Sequence, residues 1–244
     1  MGVKPDFPFY NGLPAELGGR GWLLVLGAVL VAYLQLVLLP LPGFPLNFIP
    51  VILFSVIPLA ALAWVGGAWT SLFRRYGPRE FGLTILFGLL TLVVSFAAGL
   101  ILTFLTTMTA NPVLVSELSS TDLALLLVRS GIQLVGEETV TILPLLAVMW
   151  FCFQRLHWSR SRSLVAGVVV STLLFAAMHL PTYGWNVIQC FGVIGVARLV
   201  MTVSYLLTGN LAVSIGAHVL HDWALFFMSF AGAHAPIDPA AGAS

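Results

Sequence analysis

LVGEETVTILPLLAVMWFCFQ, residues 134–154, places two adjacent glutamates, Glu137 and Glu138, in an otherwise apolar run. No further charged residue follows until Arg155. About 20 consecutive apolar residues suffice to cross the hydrocarbon core of a bilayer as a helix. The run therefore reads as a spanning helix that carries two carboxyl groups into the membrane. An ionised residue at mid-membrane costs roughly 2.5–3.5 kcal/mol on insertion scales. Such groups must face a bundle interior, find partners, or line a wet cavity.

The rest of the chain fits this reading. Of its 244 residues, 59% are hydrophobic and only 8% charged, and the mean hydropathy is +1.04. Soluble domains carry about 25% charge. Seven segments are long and apolar enough to span: 22–41, 48–73, 81–108, 123–154, 164–180, 185–208 and 211–230. The fold expected is an all-α, polytopic transmembrane helix bundle of about seven (seven or eight) spanning helices. The fourth segment is too long for one simple span. Its first part, up to Gly136, is amphipathic and holds Arg129, so it reads as an interfacial helix or a tilted extension.

Three units follow. Residues 1–21 form a cytoplasmic N-terminal segment, 22–231 the transmembrane domain, and 232–244 a short polar tail. The first twenty residues, with Lys4, Asp6, Glu16 and Arg20, lack the apolar core of a signal peptide. Arg20 precedes the first span, Arg74, Arg75 and Arg79 follow the second, and Arg155, Arg160 and Arg162 follow the fourth. The connection after the third span carries Glu117 and Asp122 instead. The excess of basic residues on one set of loops sets the N-terminus in the cytoplasm and the C-terminus outside. A net charge of +1 argues against nucleic acid as a partner, because a phosphate-binding surface needs clustered Lys and Arg.

Other ionisable residues lie in apolar runs: Arg198 in the sixth, and His218, His221 and Asp222 in the seventh, with His179 near the end of the fifth. Glu137 and Glu138 point about 100° apart on a helix, so they have different jobs. His218 and Asp222 stand at i and i+4 on one helix face, as do Phe175 and His179. Pro181 closes the fifth helix just after His179. Arg198 reads as a counter-ion for the carboxylates, and His221 as a packing or supporting residue.

These residues carry a pattern. Gly136-Glu137-Glu138, then Phe175-x-x-x-His179, then His218-x-x-x-Asp222 occur in that order on three spanning segments. Between the last two lie Phe191, Gly192, Gly195, Thr208 and Gly209. From about position 130 onward the chain resembles the CPBP family, the intramembrane proteases that include the CAAX prenyl endopeptidases, bacteriocin-processing proteins and Abi-like immunity proteins. The motifs fall within 136–222. One position departs: the family has Arg four residues after the second Glu, and this chain has Ile142.

The resemblance implies an endopeptidase that hydrolyses a membrane-proximal peptide bond with a Glu-activated water. It implies Glu137 as general base and His179 as a holder of the water. His218 and Asp222 would polarise the scissile carbonyl or fix the groups that do. Phe175, Glu138, His221 and Arg198 would support them. The same donors admit a metalloprotease reading, in which Glu137, His179 and His218 could hold Zn²⁺ with an open position for water. No HExxH motif dictates a metal, so zinc stays open and no other cofactor is expected. The expected partners are membrane lipid and a peptide or lipidated-protein substrate, and the expected location is a bacterial inner (cell) membrane. Two rivals remain. A catalytically degenerate scaffold or immunity protein would fit Ile142. A proton-coupled transporter would use buried Glu, His and Asp as a relay but should show repeated halves, which the sequence lacks.

Overall fold

A computed structural model describes residues 17–66, 69–113 and 118–234. The expectations for most of the N-terminal segment, for Glu117 and for nearly all of the polar tail lie outside these residues. Among the described residues, seven helices are long and apolar enough to cross a membrane: α1 Gly19–Leu38, α2 Phe48–Gly66, α3 Pro78–Leu102, α4 Ser120–Gln154, α5 Arg160–Met178, α6 Val187–Thr208 and α7 Leu211–Ala233. A short 3₁₀ turn, Trp69–Leu72, follows α2. The all-α bundle expected from the sequence is the fold found.

The boundaries shift for local reasons. The second apolar run breaks into α2 and the 3₁₀ turn, and the third stops at Leu102 rather than Met108. α5 ends at Met178, with His179 as its C-cap, because Pro181 cannot continue the helical hydrogen bonding. α6 opens at Val187 after the Asn186 cap, and a π turn, Cys190–Ile194, is built into it.

α4 is one continuous helix of 35 residues. At a rise of about 1.5 Å per residue it extends roughly 52 Å, against a hydrocarbon core of about 30 Å. The separate interfacial helix is therefore not found, and the amphipathic first part continues the span. Its start is fixed by a capping box. Ser119 Oγ accepts from the Asp122 amide at 3.1 Å, and Asp122 Oδ2 accepts from the Ser119 amide at 3.3 Å.

α4 is also the axis of the bundle, packing on α1, α2, α5 and α7. Its C-terminal half, Ile142, Leu143, Leu145 and Leu146 among others, joins Trp22, Leu62, Leu72, Tyr205 and Leu211 in the main apolar core. Gly136 is required where α2 crosses, because a Cβ there would collide with the Phe54 ring. That close approach seals α4 immediately before the two glutamates. At the other end of the site, Gly209 closes α6 at φ +61°, a left-handed conformation that glycine adopts without strain. Asn210 then caps α7, its Oδ1 accepting from the Ala212 amide at 3.2 Å.

Candidate active site

Glu137 and Glu138 leave α4 in different directions and meet different partners. Glu138 is fully buried. Arg198 of α6 reaches it with both terminal guanidinium nitrogens, Nη1 to Oε1 and Nη2 to Oε2, the second at 3.0 Å. Arg198 Nε donates to Thr202 Oγ1 at 3.2 Å, and its guanidinium lies 5.2 Å from the Phe175 ring centroid. The cation expected as a counter-ion is thus enclosed by a carboxylate, a hydroxyl and an aromatic face, which suits a buried guanidinium. The pair joins α6 to α4 from a position sixty residues beyond Glu138. Ile142 itself is fully buried in the apolar core.

His218 of α7 also touches Glu138, with Nδ1 at 2.9 Å from Oε1. A carboxylate only accepts, so Nδ1 carries the hydrogen and Nε2 faces the other way. His179 is set by a different acceptor: its Nδ1 donates to the Phe175 carbonyl at 2.8 Å, which again turns Nε2 outward. Both Nε2 atoms point at one oxygen. Glu137 Oε2 lies 3.9 Å from His179 Nε2 and 3.9 Å from His218 Nε2. The other oxygen, Oε1, accepts from Gln133 Nε2 at 2.9 Å. Phe175 packs between the rings, its centroid 4.5 Å from that of His179 and 6.0 Å from that of His218.

Asp222 sits one turn beyond His218, with Oδ1 3.7 Å from His218 Nε2 and 2.8 Å from His221 Nδ1. His221 Nε2 meets Ser95 Oγ of α3 at 3.1 Å. Ser95 Oγ also lies 2.7 Å from the Thr91 carbonyl, so its one hydrogen serves either that carbonyl or His221 Nε2. His221 thus links Asp222 to α3.

All eight sequence-selected residues converge, from α4, α5, α6 and α7. His157 and His234 stay apart in exposed positions. Glu137, His179, His218 and Asp222 line a cavity of about 370 Å³. Sequence reading missed three of its polar walls. Gln133 could have been found one turn before Glu137. Tyr183 and Asn111 could not, since they come from loops, with Asn111 Nδ2 donating to the Tyr183 hydroxyl at 3.3 Å. Burial pushes the Tyr183 hydroxyl up to about 12, so it remains a donor at neutral pH.

Residues 119–224 match the family model of the type II CAAX prenyl endopeptidase Rce1-like proteins. This Rce1-like segment begins at the cap of α4 and ends two residues after Asp222, so it holds all three motifs and Arg198. The match agrees with the resemblance to the CPBP/CAAX protease family that those motifs carry. The family matched is, by its description, one of prenyl endopeptidases. No curated protein and no solved structure matches the chain.

Proposed function

We propose that this chain is an intramembrane endopeptidase of the CAAX-protease type, in which Glu137 activates a water held between α4, α5 and α7. One observation carries the reading: Glu137 Oε2 stands 3.9 Å from each of two imidazole Nε2 atoms at the wall of the cavity. A water about 2.8 Å from Glu137 Oε2 and from either Nε2 would bridge each 3.9 Å gap with a near-right angle between its two contacts. Glu137 takes one proton from the water as its oxygen attacks the scissile carbonyl carbon. His179, with Nδ1–H committed to a carbonyl, offers Nε2 as an acceptor that orients the water. His218, carrying both protons, donates from Nε2 to the oxyanion, and Glu138 beneath it balances the charge. The carbon–nitrogen bond then breaks, and the proton held by Glu137 passes to the leaving amine. Asp222 holds His218 from one side while His221 holds Asp222.

The donors are of the right type for zinc, but their spacing is not. Two ligands about 2.0–2.1 Å from a tetrahedral zinc lie roughly 3.3 Å apart, against 3.9 Å for both pairs here. Among the described residues, no group of three His, Cys, Asp or Glu side chains is arranged to hold a metal ion. Elemental analysis of the purified protein should find substoichiometric zinc, and cleavage should survive chelation. Stoichiometric zinc whose removal stops turnover would overturn the metal-free water.

A cation beside Glu138, Arg198, weighs against the degenerate-scaffold reading that Ile142 favours. The deciding experiment is cleavage of a fluorogenic prenylated peptide by the full chain in proteoliposomes. Glu137→Gln should lower kcat about 10²–10⁴-fold, the usual worth of a positioned base, with unchanged thermal unfolding. Unchanged turnover would sink the assignment.

A further inference from the structure

One wall of the cavity carries a hydroxyl that the water attack does not use. Ser95 Oγ on α3 lies 3.1 Å from His221 Nε2, and His221 Nδ1 lies 2.8 Å from Asp222 Oδ1. A hydroxyl, an imidazole and a carboxylate thus stand in line at hydrogen-bond spacing. That is the arrangement of a nucleophile, its base and the group that orients the base. All three residues line the same cavity, so the hydroxyl is open to a substrate. Ser95 and His221 are 126 positions apart in the chain. They meet because Gly88 lets α3 approach α7: a Cβ there would come 2.8 Å from the Leu220 side chain.

The acceptors fix the hydrogens. A carboxylate only accepts, so the Asp222 contact places the hydrogen on Nδ1 and leaves Nε2 of the neutral ring with a lone pair. The Ser95 hydrogen has two acceptors in reach, that nitrogen and the Thr91 carbonyl at 2.7 Å. Turning it to Nε2 avoids two lone pairs facing each other. We propose that Ser95, His221 and Asp222 form a second hydrolytic site, in which Ser95 attacks the carbonyl carbon of a fatty-acyl ester. The apolar walls Leu126, Leu134, Val193 and Ile194 suit an acyl chain. His221 Nε2 takes the Ser95 proton as Oγ bonds to the carbonyl carbon. The bond to the alcohol oxygen then breaks, and His221 gives that oxygen the proton, leaving acyl-Ser95. Water attacks the acyl carbon as His221 takes one of its protons. The fatty acid departs and His221 returns the proton to Ser95 Oγ. The Tyr183 oxygen accepts from Asn111, which leaves the Tyr183 hydrogen as a donor for the oxyanion. This activity goes beyond the protease reading and shares Asp222 with it.

The probes are an alkyl fluorophosphonate and p-nitrophenyl butyrate. Both are applied to the full chain in phosphatidylcholine vesicles, in a Glu137→Gln background that removes the water attack. Mass spectrometry should find the phosphonyl group on Ser95, a readout taken with Ser95 and His221 both intact. His221→Gln should slow labelling about 10²-fold or more, the worth of a positioned base. Ser95→Ala should abolish both the adduct and the release of p-nitrophenol, with thermal unfolding as the check on the fold. No adduct at Ser95, or ester turnover that survives Ser95→Ala, overturns the proposal. Fatty acid released from the vesicle phosphatidylcholine assigns the ester to lipid. Release only from an added O-acyl peptide assigns it to an acylated protein, and release from neither overturns the acyl-ester class. Cleavage of a prenylated peptide is scored separately. An adduct at Ser95 with cleavage unchanged by Glu137→Gln overturns the water attack and leaves the serine site standing. Cleavage lost with Glu137→Gln and no adduct does the reverse.

Discussion

At the scale of single residues, the adjacent glutamates divide two kinds of work. Glu138 is enclosed by Arg198 and His218, whereas Glu137 faces the cavity. Removing the Arg198 head group strands a buried carboxylate, a loss of about 3–5 kcal/mol when one partner of a buried pair is deleted. Arg198→Met is therefore expected to unfold at much lower denaturant than the parent in detergent. The double variant Glu138→Gln/Arg198→Met should recover part of that loss, because no charge is left unpaired. Equal stability of Arg198→Met and the parent would refute the pairing. The sequence exposed these charges because each violates an apolar run. It could not say which cation serves which acid: Arg198 lies sixty positions from Glu138 in the chain, and only helix packing joins them. Ile142 looked like a lost arginine for the same reason. Its burial among Leu62, Tyr205 and Leu211 is a property of the α4 face that the one-dimensional motif hides.

At the scale of elements, lengths were legible and irregularities were not. Hydropathy alone located seven spans, since a helix in lipid must satisfy its backbone internally. The start of α4 rests on the Ser119–Asp122 capping box, a local signal that the apolar pattern obscured. The π turn Cys190–Ile194 had no such signal. It separates two commitments of α6. Before it, Gln189 Nε2 donates to the Thr109 carbonyl at 2.8 Å and Gln189 Oε1 accepts from the Thr109 amide at 2.8 Å. After it, Arg198 reaches Glu138. A π turn adds one residue to a helical turn, so removing it rotates one half about 100° against the other. Deleting Val193 should therefore break either the Gln189 clasp or the Arg198 pair. The expected loss is at least about 2 kcal/mol for two hydrogen bonds, with reduced cleavage. Deletions at exposed loop positions serve as controls, and a Val193 deletion as stable and active as the parent would show that the register is not needed.

At the scale of the whole molecule, the ends of the helices fall into two groups. On one side Asn210 of the α6–α7 turn brackets Arg74: Oδ1 accepts from the Arg74 amide at 3.2 Å, and Nδ2 donates to its carbonyl at 3.2 Å. Gly19 at the start of α1 lies near Trp150 and Arg155 at the end of α4. Arg20, Arg74, Arg75, Arg79, Arg155, Arg160 and Arg162 thus gather at that side. On the other side Asn186 Nδ2 donates to the Thr107 carbonyl at 2.8 Å, Gln189 clasps Thr109, and Tyr183 meets Asn111. The cavity walls Asn111, Thr182 and Tyr183 belong to this second group, so the site is reached from the face opposite the arginines. Cytoplasmic loops collect Lys and Arg. The expected orientation therefore presents the cavity to the outer face, with Arg129 as the exception to the charge asymmetry. The native thiols Cys152 and Cys190 are buried, which permits a direct test. Thr182→Cys should react with a membrane-impermeant maleimide on intact cells, and Arg75→Cys should react only after the membrane is opened. The reverse pattern would place the cavity on the cytoplasmic face and the substrate with it. Labelling of both from outside would mean mixed insertion and would remove the arginine asymmetry as the determinant of which compartment supplies the peptide.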